Sequence, residues 1–387
     1  MQKNSSGTYL GTNAKNYSIL AIEEPEAHLH PSMQYKLLSF LTSNSKNEVR
    51  QVFITSHSPN ITAAVKLDNL IVLEHNGNNL KVSYPSKVFS CSMEDQESKL
   101  FVERFLDVTR SDMFFAKKII FVEGLAEQLL VPEFGRMIDK DLIDQHITVI
   151  NMNGRYFDHF LKLFNLNNSS FAMSKKVVCI TDRDPVRKEK KIKSDDESYW
   201  KKCHPIFLNF DSEKYEYNPC SNSVLNKDIK FWSKNIGFYS QPMSLGSTLE
   251  YQMMLENIEC EDLITHSVKN KPELKSLIDY YKKSIDNYKK SQEVDLKTFV
   301  DILRSNTTNN ELKEIYENHH FEKKEFMKHV IATRYLESIK KGEAAQELST
   351  KVMLINLNNN SDKTEKLDKI ELNVPNYISE ALKWIFK

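Results

Sequence analysis

The sequence predicts an α/β fold, a mostly parallel sheet flanked by helices with a helical region after it. Three observations carry that expectation. Short apolar runs rich in Val and Ile recur through the first two-thirds of the chain, with the length and composition of buried strands. Helical patterns lie between several of them, and such alternation implies layered α/β structure. The last third is rich in Lys, Glu, Asn and Leu, and glycine is scarce at 9 residues in the whole chain, which favours long helices.

The expected strands, in order, are 18–22 (SILAI), 51–55 (QVFIT), 69–73 (NLIVL), 118–122 (KIIFV), 147–152 (ITVINM) and 176–181 (KVVCIT). Strands near Leu70 and Leu80 flank HNGNN (75–79), a hairpin turn. Helices are expected over 33–42, 94–112 and 125–138, and later over 272–289, 295–303, 310–318 and 323–340. Boundaries near Ser90 and Leu255 divide the chain into 1–90, 91–255 and 256–387. The triplet Asn358–Asn360 is a short loop of low complexity, and no internal repeat is evident.

Composition narrows the function. Hydrophobic residues make up 40%, enough for a real core and against a disordered chain. No run of about 18 apolar residues is present to span a membrane, and the N-terminus lacks a secretory h-region. The five cysteines are scattered and show no CxxC spacing, so a zinc site or disulfide framework is not expected and a cytoplasmic location fits. The 53 basic residues balance the 53 acidic ones. A nucleic-acid partner would therefore have to meet local patches rather than bulk charge. The run Arg183–Lys193, with six cations against two acids, offers one such patch, although a solvated loop reads the same way.

The first motif is SILAIEEPEAHLHP at 18–31. A strand ends in Glu23, suited to holding Mg²⁺, and Glu24, suited to orienting an attacking water. About thirty residues on, QVFITSHSP puts His57 just past a strand, where it can reach a phosphate. Taken singly, each piece also reads as a solvated turn or a structural histidine. In this order they resemble the Walker B, D-loop and switch-histidine segments of ABC-type ATPases, in the form found in OLD (overcoming lysogenisation defect) nucleases. Glu23 departs from the usual Asp. No GxxxxGK[ST] occurs. The expectation is thus a partial ATPase lobe over 1–90 that turns over no ATP by itself and meets ATP only with a P-loop-bearing partner or a missing lobe.

The second motif begins with KKIIFVEGLAE at 117–127. A strand ends at Glu123-Gly124, and Glu127 follows on a helix, a spacing that stacks two carboxylates on one helical face. Acids at a helix N-terminus are also ordinary, because they answer its dipole. KVVCITDRD at 176–184 then delivers Asp182 and Asp184 at a strand end. In extended chain, residues two apart point the same way, and Asp-x-Asp also occurs in plain Asx turns. Together, strand–Glu-Gly-x-x–Glu and strand–Asp-x-Asp some fifty-five residues later resemble the Toprim pattern of topoisomerases, primases and OLD nucleases. Two further segments are similar to OLD sequences: SLGSTLEYQMML, with Glu250, and KKGEAAQELS, with Lys341. Their plainer readings are a helix-terminal acid and a C-cap lysine.

The resemblance to the OLD family implies a Toprim-type domain over 91–255. In it Glu123, Glu127, Asp182, Asp184 and Glu250 would hold two divalent cations, and Lys341 would approach the scissile phosphate. Oxygen-only ligands select Mg²⁺, Mn²⁺ or Ca²⁺ over zinc. It implies a DNA endonuclease, ATP-regulated in the complete assembly, acting in antiviral defence and assembling as a homo-oligomer. A non-catalytic remnant or scaffold subunit, and another Toprim chemistry such as priming or strand passage, are the alternatives. The latter two chemistries need zinc-binding, polymerase or tyrosine-bearing neighbours that are not recognisable here.

Overall fold

The computed structural model describes residues 19–44, 51–77, 79–190, 199–225, 233–289, 294–303, 307–318, 321–359 and 372–387. Ser18, Asn78, Lys191, Lys193 and Asn360, which the sequence reading used, lie outside them. The chain forms two compact units, 1–116 with 168–173 and 117–167 with 174–387. The boundaries read near Ser90 and Leu255 mark changes in sequence character.

In the first unit, β1 (Ile19–Glu23) pairs in parallel with β2 (Gln51–Thr55), joined by α1 (Pro31–Asn44). Both strands were expected to be buried, but their residues alternate between exposed and half-buried. The physical reason is the sheet's size. Among the described residues it has two strands, so neither face is fully covered and Ile19 and Phe53 stay about half exposed. Ser58 caps α2 (Pro59–Ala64) by accepting from the Ile61 amide. β3 (Val72–Asn76) and β4 (Asn79–Ser83) form the expected hairpin, in register Asn76 to Asn79, with Gly77 at φ +61. The strand begins later than the apolar run 69–73 suggested, because Leu67–Asn69 is a turn of 3₁₀ helix. The single helix expected over 94–112 is two, α3 (Met93–Phe105) and α4 (Val108–Ser111). Asp107 restarts the helix by capping the Arg110 amide.

The second unit is built on a four-stranded parallel sheet. Its strands are β5 (Lys118–Val122), β6 (Ile147–Asn151), β7 (Lys176–Ile180) and β11 (Ile236–Tyr239), in the order β11-β7-β5-β6. In register, Val122 lies beside Asn151 and Ile180, and Ile180 beside Tyr239. All four strands therefore end together, and the residues just beyond them meet at one edge. Ile119 to Val122 and Val177 to Cys179 are completely buried, which explains their unbroken apolar runs. Burial also pushes the Cys179 thiol upward.

Helices cover this sheet: α5 (Leu125–Met137), α6 (Phe157–Leu161) and α7 (Leu249–Glu256). The helical region supplies α8 (Lys271–Lys289), α9 (Leu296–Asp301), α10 (Thr307–Asn318), α11 (Lys323–Ser338), α12 (Lys341–Asn359) and α13 (Asn376–Phe386). They share one hydrophobic core with the sheet, running from Ile120 and Val178 through Phe134 and Met254 to Phe326 and Ile385. α12 packs on α5, and α13 on β7 and β11.

Within the basic run, for which a solvated loop was one reading, Val186–Glu189 forms β8. It is central in an antiparallel sheet with β9 (Lys201–Lys202) and β10 (Tyr215–Asn218). Its described cations have protein partners. Arg187 donates to Glu311 at 2.8 Å, Lys188 pairs with Glu216 at 2.8 Å, and Lys190 donates to the Ser212 carbonyl at 2.6 Å. Among the described residues, no helix is long and apolar enough to cross a membrane.

Candidate functional site

The parallel strand ends open onto a cavity of ≈ 290 Å³ lined by Glu123, Glu127, Asp182, Asp184, Glu250 and Lys341, with Lys202 at its side. Five acids and a lysine from four separate stretches of sequence thus meet in one place. The routes differ in part from the expected ones. Glu123 follows β5 but precedes α5, which starts at Leu125, so only Glu127 is helical. Gly124 between them leaves room, since a Cβ there would stand 3.3 Å from Glu127 Oε2. Asp182 and Asp184 lie past the end of β7, and Asp184 has φ +45. They converge because the Arg183 and Asp184 amides both donate to the Ser247 carbonyl, at 3.0 and 3.3 Å, and not because of strand alternation. Glu250 lies in the first turn of α7, capped by Thr248, whose hydroxyl donates to Glu250 Oε2 at 2.9 Å. Lys341 is the first residue of α12 rather than a C-cap, and its Nζ is 3.1 Å from Glu250 Oε2.

Amide and hydroxyl side chains brace the acids. Asn222, completely buried, donates to Glu123 Oε1 at 2.8 Å and to the Asp182 carbonyl at 2.5 Å. The Thr181 hydroxyl also donates to Glu123. Gln241, completely buried just past β11, donates to Asp182 Oδ1 at 2.7 Å and to the Tyr377 hydroxyl at 3.2 Å, and accepts from the Arg183 amide at 3.2 Å. α13 thus reaches the site through Tyr377.

Among the described residues, no three Asp, Glu, His or Cys side chains close into a ready cation cage. Two protein cations stand among the acids instead. Arg155 pairs with Asp184 and approaches Glu123 Oε2 at 3.7 Å, and Lys341 holds Glu250. Burial, then repulsion from Glu250 and Glu123, pushes the Glu127 carboxyl up to about 7. Burial and the same neighbours hold Asp182 well above the usual carboxylate range. Burial alone would lower the Lys341 ammonium, but Glu250 and Asp182 raise it. The donor set is all oxygen, the chemistry of Mg²⁺, Mn²⁺ or Ca²⁺, so these residues fit such ions by donor type and by their surplus negative charge.

Sequence reasoning missed Arg155, Thr181, Asn222, Gln241 and Tyr377. Arg155 follows the turn Asn153–Gly154, whose φ values are +53 and +135, and that glycine turn was the available signal. Asn222, Gln241 and Tyr377 lie in stretches without any motif.

The other candidate cluster belongs to the first unit. Glu23 closes β1 and Glu24 follows at φ +41. His57 Nε2 lies 3.4 Å from Glu24 Oε1, with both side chains mostly in water. Glu26, which the sequence reading left without a role, braces the turn by accepting from the Ser56 hydroxyl and the His57 amide, each at 2.8 Å. Those bonds help hold its carboxyl below the ordinary value despite partial burial.

Residues 114–184 match the overcoming lysogenization defect protein-like TOPRIM domain, and residues 9–62 match an AAA ATPase domain. Among curated proteins, the chain is 24% identical over 285 residues to Endonuclease GajA of Bacillus cereus (strain HuB5-5), covering 66% of this chain and 39% of that protein. It is 23% identical over 135 residues to the OLD nuclease of Thermus scotoductus, covering 35% and 26%. The chain therefore spans less than half the length of these relatives. Among solved structures, the C-terminal region of the Burkholderia pseudomallei OLD protein aligns with 70% of this chain and 98% of that one. The identity is 18% and the TM-score 0.31. Over 114–184 the chain is thus similar to OLD-like TOPRIM domains, and the stretch 9–62 before it to AAA ATPase domains.

Proposed function

We propose that this chain is an OLD-type TOPRIM nuclease that cleaves DNA with divalent cations. The observation that carries the reading is the meeting of Glu123, Glu127, Asp182, Asp184 and Glu250 with Lys341 around one cavity at the ends of parallel strands. The relatives named as an endonuclease and an OLD nuclease support the reaction class. Asp182, Asp184 and Glu123 would hold one ion, and Glu127 and Glu250 a second. Two such ions supply charge neutralisation for the phosphodiester and activation of the attacking water. Lys341, which lines the cavity with a half-exposed side chain, would stabilise the negative charge that grows on the phosphoryl oxygens. Gln241 and Asn222 fix the carboxylate positions, so little reorganisation is needed when substrate arrives.

Glu23, Glu24 and His57 form part of an ATP site that a P-loop-bearing lobe or partner would complete. ATP would then regulate cleavage only in the full assembly, in which homo-oligomerisation and a role in antiviral defence also belong.

The test is cleavage of supercoiled plasmid with Mg²⁺ or Mn²⁺. Nicked or linear product is expected from the parent chain and none from Glu123→Ala with Asp182→Ala. Cleavage that survives the double substitution would overturn the assignment.

A further inference from the structure

The small antiparallel sheet runs directly out of the cavity, and its pleat sorts its side chains. Lys202, the residue that lines the cavity, pairs with Val186, and Lys201 with Arg187. Continuing that register puts Trp200 beside Lys188, and Lys188 Nζ does lie 4.7 Å from the Trp200 ring centre. Alternation then places Lys202, Trp200 and Lys188 on one face, with Glu216 opposite Lys188. The other face turns Arg187 inward against Phe207 and Tyr215. On the outer face Trp200 is 44% exposed. Its indole stands open to water with Lys188 over the ring, and nothing in the proposed chemistry uses it.

We infer that this face is a stacking platform for an unpaired nucleotide of single-stranded DNA, next to the phosphate that enters the cavity. The inference rests on the proposed nuclease reading. Charge and continuity select the occupant. Lys202 stands at the cavity wall, and Trp200, two residues before it in the chain leading into β9, is about 6.6 Å away at the rise of extended chain. A backbone whose phosphate sits by Lys202 therefore brings an adjoining base within reach of the indole. Lys188 neutralises Glu216 at 2.8 Å, the acid that, among the described residues of this sheet, shares the face with Trp200. Aromatic–base stacking tolerates any sequence but requires the base to be out of its duplex. The substrate class is then a single strand, or a duplex opened at the cleavage point.

Binding in EDTA separates this inference from the nuclease reading, because it needs neither cations nor turnover. The probe is a fluorescently labelled oligothymidylate, with the same length of duplex as comparison. The parent chain should bind the single strand more tightly than the duplex, and Trp200→Ala should weaken the single strand about ten-fold, within the range of one lost stack. Trp200→Phe should keep most of the affinity, and Trp200→Ala should bind the duplex as the parent does. Equal single-strand affinity for Trp200→Ala and parent, or a parent preference for duplex, would overturn the platform while leaving cation-dependent cleavage standing. Stacking that survives in a chain that cleaves nothing would instead fault the nuclease reading alone.

Discussion

Glu127 and Glu250 are each 7% exposed and line a cavity braced by amide, hydroxyl and cationic donors, whereas Glu24 and His57 leave 53% and 83% of their side chains in water. Both clusters begin with acids at the end of a parallel strand. Among the described residues, what separates them is the number of neighbouring strands. Four aligned strand ends bring residues from several segments into one cavity. Two strands leave their acids on an open rim. A cluster of acids becomes a working site when the surrounding scaffold is deep enough to remove water and orient the charges.

Substitutions in the two clusters can break this contrast, and the largest expected effect is on turnover. Lys341→Ala should lower plasmid cleavage by roughly 10²–10³-fold, the usual loss for one charge-stabilising donor. Glu24→Gln should leave cleavage by this chain unchanged. A comparable loss from Glu24→Gln would mean that the exposed cluster acts directly in the reaction.

Next in size is an acid sensitivity confined to the deep side. His329 in α11 accepts or donates at 2.7 Å to Tyr251, the neighbour of Glu250. Burial lowers its imidazole from the usual 6.5 to about 4. The unfolded chain therefore takes up a proton at a higher pH than the folded one. The stabilisation is complete above about pH 6.5 and is lost as pH falls toward 4, up to about 3 kcal/mol in all. Urea titrations across that window should show this slope in the parent and a shallower one in His329→Gln.

Cation binding sharpens the same contrast. Mn²⁺ at about a hundred times its dissociation constant should stabilise the parent by about 2.7 kcal/mol. Calorimetry should find that gain gone in Asp182→Ala and reduced in Tyr377→Phe, which loses the hydroxyl that steadies Gln241. The smallest effect belongs to the open rim. His57→Ala should change stability by less than about 0.5 kcal/mol, because an exposed ion pair is screened by water, and chemical denaturation can check it.

The sequence made the sheet and its acids legible for a physical reason. Fully buried parallel strands demand continuous apolar runs, and Lys118–Val122 and Lys176–Ile180 show them with their bounds almost unchanged. Acids directly after such runs must lie at the sheet edge. Thr248 before Glu250 was equally readable, since a capping threonine marks a helix start. The bracing residues were not. Asn222, Gln241 and Tyr377 reach the site through tertiary packing from segments far apart in sequence, and no local periodicity records that. The basic run misled for a related reason. Its dense cations look like a solvated loop, while Arg187 and Lys188 point to opposite faces of a strand and find separate partners.

Arg155 has a consequence for how the protein is handled and controlled. Its guanidinium already balances Asp184 and leans toward Glu123, so a sample dialysed against chelator still has an internal counter-ion among the acids. Such a preparation should stay folded and dormant, and regain cleavage when magnesium is restored. On the proposed reading, ion supply would then act as a throttle on a finished protein instead of a requirement for making one.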